Sequence, residues 1–154
     1  MLFFIAKMTV KVLQRSRILR YGGSFSSLSA FLMCPSPTLA DQESAELRGE
    51  GSLTQRDGGL TLSYREAESG VSVLVEKSEN ALTVTRGGAV LSFRLGEKTA
   101  FTYRTAYGSL PTEAYTDALS VQKKGDTLLL TLSYIAVMGG MAQRNEMRFK
   151  ITEK

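Results

Sequence analysis

The stretch TLLLTLSYIAV at residues 127–137, followed by Gly139-Gly140 and then MAQRNEMRFKIT at 141–152, decides the fold. Leu128, Leu130, Leu132 and Tyr134 alternate on one side, and Met147, Phe149 and Ile151 answer them after the glycine pair. Period-2 alternation broken by a Gly-Gly turn is the pattern of an antiparallel hairpin, because successive strand residues point to opposite faces.

The same grammar runs back along the chain. Asn80–Arg86 and Ala89–Leu95 flank Gly87-Gly88, with Leu82, Val84, Leu91 and Phe93 in the inward phase. Gly59–Glu66, carrying Leu60, Leu62 and Tyr64, leads through Glu68-Ser69-Gly70 to Val71, Val73 and Val75. Ala45–Thr54 precedes them, and Gly49 and Gly51 within it signal a bulge or a close backbone approach. Thr99–Arg104 and Ala114–Gln122 complete the series, with Thr105–Pro111 read as a longer connection between them. No long helical periodicity intervenes, so the chain reads as all-β, an antiparallel up-and-down meander of about eight to ten strands. Closing such a meander into a barrel removes its two exposed edges.

At 154 residues the chain is one domain by size, and its 43% apolar and 22% charged residues are those of an ordinary globule. No apolar run approaches the roughly 20 residues that a membrane-spanning helix needs. Cys34 is the only cysteine, so no intrachain disulfide can form. The formal charge of +4 is unevenly spread. Residues 1–40 carry Lys7, Lys11, Arg15, Arg17 and Arg20 with no acid, leaving 14 basic against 15 acidic residues in the rest. A body near neutrality lacks the broad positive field of a phosphate-binding protein, and a nucleic-acid partner is not expected.

Two readings compete for the first 40 residues. In one, a basic region ending at Arg20, the apolar stretch Phe25–Cys34 and small residues before Asp41 resemble a secretory signal. In the other, Thr9–Ile18 is a strand and Tyr21–Gln42 an inserted Ser-, Gly- and Pro-rich loop. The second is favoured, since Ser26, Ser27 and Ser29 interrupt the apolar stretch and Met1–Ala6 places an apolar cluster where a signal begins basic. It divides the chain into an N-terminal segment, 1–43, and a barrel domain, 44–154, and it implies a cytoplasmic protein; the first implies a secreted one.

Tyr64-Arg65-Glu66, Arg86-Gly87-Gly88, Phe93, Tyr103-Arg104-Thr105-Ala106-Tyr107-Gly108, Thr116, Leu132-Ser133-Tyr134 and Asn145 fall in an order and spacing that resemble the YwiB-like bacterial proteins of unknown function. Met8–Arg17 also resembles that family's first strand. The resemblance covers most of residues 44–153 and implies a small calycin-like, lipocalin-like barrel. It carries over no activity and no catalytic residue. The chain departs from it at Ala106, where a proline is usual, and in a longer loop after the first strand.

The chemistry is mostly excluded. Without histidine there is no Ser-His-Asp or Cys-His system and no imidazole metal ligand. There is no Walker-type phosphate loop, and Gly49-Glu50-Gly51 lacks the third glycine of a dinucleotide site. No cofactor, metal or catalytic residue is expected. Glu66 and Glu68 share a strand phase but read as a solvated turn, and Cys34 reads as an unreactive loop cysteine.

The tyrosines carry more weight. Tyr64, Tyr103 and Tyr134 occupy the apolar phase, where a buried hydroxyl needs a partner. Arg86, Thr116 and Asn145 could supply it as an internal polar network, which is the favoured reading. The same residues, with Tyr107 at a barrel mouth, are otherwise the candidate ligand contacts. The expected function is non-enzymatic binding of a small apolar or amphipathic ligand in the barrel. The alternative is a protein-interaction or assembly module with a solid core, meeting a protein partner or a second copy through an exposed strand or the 21–42 loop.

Overall fold

The computed structural model describes residues 6–56, 58–106 and 108–154, with side chains at all of these except 6 and 103–105. Ten strands and one short helix follow one another as β1 (Ala6–Tyr21), α1 (Leu28–Leu32), β2 (Leu39–Arg56), β3 (Gly59–Glu66), β4 (Ser72–Lys77), β5 (Ala81–Arg86), β6 (Ala89–Arg94), β7 (Lys98–Thr105), β8 (Gly108–Lys124), β9 (Thr127–Met138) and β10 (Met141–Glu153). All pair antiparallel in the order β6-β5-β4-β3-β2-β1-β10-β9-β8-β7. Among the described residues no helix is long and apolar enough to cross a membrane.

The meander closes through its ends. β1 pairs with β2 on one side and with β10 on the other, from Val10↔Glu153 to Arg20↔Gln143. The two strands left at the ends of the order, β6 and β7, are neighbours in sequence. Just past β6, Leu95 bridges to Thr116 on β8, and Gly96 donates to the Thr116 carbonyl at 2.8 Å, so the chain closes across β7. The result is a nearly closed antiparallel barrel, the all-β fold that the alternation implies.

Alternation sets the interior. Val10 and Val12, Leu60, Leu62 and Tyr64, Val73 and Val75, Leu82 and Val84, Phe93, Leu128, Leu130, Leu132 and Tyr134, and Phe149 and Ile151 form one buried cluster. Gly49 and Gly51 face the same way, and a Cβ on Gly51 would lie 2.7 Å from the Cβ of Tyr64 and collide with the Ser63 carbonyl oxygen. The register of β2 with β1 and β3 is unbroken there, so of the two expectations for these glycines the close approach is the one found. β2 and β3 draw together beneath the Tyr64 ring because no side chain separates them.

Two segments differ from the sequence reading. Thr105–Pro111 is not a long connection: Thr105 pairs with Gly108, and β8 begins at Gly108. Pro111 is accommodated because β8 has β7 on one side only until Thr112 meets Met138 on β9. The loop after β1 is also shorter than 21–42, since β1 and β2 continue as a paired ribbon to Tyr21↔Leu39.

Residues 22–38 fold back over the outside of the barrel. Phe25 donates to the Gly140 carbonyl at 2.8 Å, and the Ser27 hydroxyl accepts from the Ala30 amide at 3.1 Å, capping α1. Five residues cannot sustain a helix alone. α1 is held by packing Leu28 and Phe31 on Ile135, Val137 and Ala142, with Tyr21, Phe25 and Tyr115 around them. The Phe31 ring lies 5.1 Å from Tyr21 and 5.0 Å from Phe25, centroid to centroid. A second, smaller core therefore sits on the outward face of β9 and β10.

Candidate functional site

The candidate polar residues separate into two groups. Tyr64 and Arg86 lie at one rim, linked through Val73 in the β3–β4–β5 register. Between them stands Glu66, whose side chain is only 2% exposed. Arg86 donates through Nε at 2.9 Å and Nη2 at 2.7 Å to its two oxygens, and the Ser69 hydroxyl donates at 2.7 Å. The Arg86 hydrogen bonds hold the Glu66 carboxyl below its ordinary range, against the desolvation that would raise it. Burial pushes the Tyr64 hydroxyl upward, and the Glu66 charge adds to that. Glu66 is thus a buried, clamped carboxylate and not the solvated turn residue expected. Its place in the inward phase after Tyr64 was the available signal.

The second group is one row across five strands, with Thr116 opposite Tyr134, Tyr134 opposite Asn145, Asn145 opposite Ile18 and Ile18 opposite Glu43. Tyr134 packs on Phe93 at 4.5 Å between centroids, and Phe93 on Phe101 at 5.8 Å. Gln143 donates to Asn145 Oδ1 at 3.2 Å. Thr116 Oγ1 and Asn145 Nδ2 are buried without a hydrogen-bond partner among the described residues. Such atoms fit a small polar guest or an ordered water. The side chain of Tyr103 and all of Tyr107 lie outside the described residues.

A third feature was hidden from any count along the chain. The outward positions of β1 carry Lys7, Lys11, Arg15 and Arg17, and those of β2 carry Arg48 and Arg56. Arg65 on β3 and Arg144, Arg148 and Lys150 on β10 share the same face, where these four strands place three carboxylates among the described residues, Glu46, Glu50 and Glu146, and where Arg144 is held by Asp117 of β8 at 2.7 Å. The basic N-terminal segment is thus set between two other basic strands. With ten of the 19 cations and three of the 15 acids here, the rest of the chain keeps nine and twelve.

Several of these cations are only loosely engaged. Glu46 is shared by Arg15 at 3.0 Å and Arg48 at 3.6 Å, and Glu50 is taken by Lys154 at 2.6 Å. Lys11, Arg65, Arg148 and Lys150 form no ion pair among the described residues. A groove of about 680 Å³ opens where β3 stops at Glu66 while β2 runs on, and Lys11, Leu13, Arg48, Arg65 and Lys150 line it.

Residues 38–149 match a protein family described as a domain of unknown function, DUF1934. The crystal structure of the ywiB protein from Bacillus subtilis superposes with a TM-score of 0.69 at 20% identity, over 96% of this chain and 93% of that one. At that identity the likeness is one of fold. No curated protein matches the chain.

Proposed function

The chain belongs to the DUF1934 family, a domain of unknown function, and from that premise we propose that it is a non-enzymatic binding module that meets its partner on the outside of the barrel. The observation that carries this reading is the close packing of the described apolar interior. Leu62, Leu82, Phe93, Leu130, Leu132 and Phe149 are each 1% exposed or less, which leaves no water-sized space beside them for an apolar guest. A site for a small amphipathic ligand needs a concave apolar chamber of roughly 300 Å³ or more. The described hollows lie instead on outward faces and rims, the groove beside Arg48 and Arg65 among them.

Native mass spectrometry of the full chain, with displacement of a fluorescent lipid probe, tests the reading. The expected result is the bare protein mass and no saturable probe binding. A stoichiometric small molecule released on denaturation would overturn it.

A second reading keeps the ligand inside, on Tyr64, Arg86, Tyr103, Tyr107, Thr116, Tyr134 and Asn145. The unpaired Thr116 Oγ1 and Asn145 Nδ2 favour it, because a buried polar atom without a partner costs about 1–3 kcal/mol that a polar guest would recover.

A further inference from the structure

We propose that the outward face of β10–β1–β2–β3 binds the phosphate backbone of double-stranded nucleic acid. The inference rests on the reading that the partner lies outside the barrel, and it names that partner's chemistry.

Charge complementarity is the first argument. Ten cations against three carboxylates at the described outward positions of these four strands, with Arg144 neutralised by Asp117 of β8 and fewer cations than acids elsewhere, make a molecule polarised toward one wall. Lys11, Arg65, Arg148 and Lys150 form no ion pair within 4 Å among the described residues, Lys11 feeling Glu50 only at longer range, so they can exchange counterions for phosphates without breaking a direct pair. The pairs that Glu46 makes with Arg15 and Arg48 are exposed and worth little, so they yield readily.

Shape is the second argument. From Lys7 to Arg17, β1 runs about 33 Å at ~3.3 Å per residue, and four strands ~4.8 Å apart give a width of about 15 Å. A strip of that length matches about one turn, roughly 34 Å, of a duplex. From Lys7 to Arg17 and at the positions opposite on β2, β3 and β10 no described outward residue is aromatic, the ring of Tyr21 beyond them being packed on Phe31, so there is no platform on which unpaired bases would stack. Leu13 and Leu19 are the only outward leucines of β1, and both are half-buried, which gives an acyl layer little to hold.

The test is fluorescence anisotropy of the full chain with a labelled mixed-sequence duplex of about 20 base pairs. With about six phosphates engaged, affinity is expected to fall on the order of 10³-fold between about 50 and 200 mM salt. Replacing Lys11, Arg148 and Lys150 together by Gln is expected to reduce the slope of log K against log salt by about 3. Replacing Lys98, Lys123 and Lys124 by Gln leaves it unchanged. Circular dichroism checks that both variants fold.

No binding at low salt overturns the inference, and so does equal loss in both variants. Binding of phosphatidylglycerol vesicles or of polyglutamate through the same three residues, with no duplex binding, overturns the nucleic-acid assignment and leaves the outer-surface reading standing. An internal ligand found by native mass spectrometry removes that reading itself.

Discussion

Arg86 and Glu66 are 20 residues apart in sequence and joined by two hydrogen bonds, with the carboxylate 2% and the guanidinium 51% exposed. Removing a partner from a buried pair costs roughly 3–5 kcal/mol, and the exposure of Arg86 lowers that toward about 2 kcal/mol. Arg86→Ala is therefore expected to lose about that much stability in urea unfolding at pH 7. The folded carboxyl sits below its ordinary value of 4.5, so its contribution is present above that value and is lost as pH falls through the folded one. The stability gap between the natural chain and Arg86→Ala should accordingly narrow below pH 4.5. A gap that stays constant into acid would mean the ion pair does not carry the effect.

Gly51 has no room for a methyl group. An added Cβ would stand 2.5 Å from Tyr64 Cα and overlap the Ser63 carbonyl, and backbone atoms cannot swing aside. Gly51→Ala should cost about 3 kcal/mol, a fall in Tm of about 10 °C. Gly58, at φ +78° with nothing within 4 Å, is constrained only by its dihedral angle. Gly58→Ala should cost about 1 kcal/mol. Thermal melts of the two variants give the ordering.

Thr116→Val keeps the shape of a fully buried side chain and deletes a hydroxyl that has no partner among the described residues. The expected change is neutral or stabilising by about 1 kcal/mol, read from the denaturant midpoint. A clear loss of stability would point to a guest or a water bound at that oxygen.

Phe31 anchors α1 on the outer face of β9 and β10. Phe31→Ala should cost about 3 kcal/mol and release the 22–38 segment, with hydrogen exchange accelerating at Ile135, Val137 and Ala142 and not at Leu130 or Phe149. Uniform acceleration would mean that the two cores unfold as one.

The barrel was legible because its strands obey alternation and its turns carry glycine: Gly87-Gly88 and Gly139-Gly140 sit between paired strands as read. What escaped were features that alternation does not encode. α1 is too short for a helical period and exists because Ile135 and Val137 need a cover. β2 reaches back to Leu39 through polar residues exposed on both faces, where no apolar phase announces a strand. The turn chemistry of Glu68-Ser69-Gly70 masks the inward phase of Glu66, whose burial becomes tolerable through Arg86 and Ser69. The cationic wall depends on which strands lie side by side, which no sum along the chain contains. Tyr134 is marked by its phase and Thr116 and Asn145 by the family resemblance, and the register places the three in one row.

The pairing of β1 with β10 has a kinetic side. β1 is made before the other nine described strands and cannot complete its hydrogen bonds until β10, the last of those nine, arrives. Contacts of such long sequence separation are the slow ones, because loop-closure entropy is lost before they form. Val10 and Val12 therefore wait as an uncovered apolar edge for most of synthesis. The basic side chains on the other face of that strand keep like edges apart in the interval, the protection that charged residues give an open strand against aggregation.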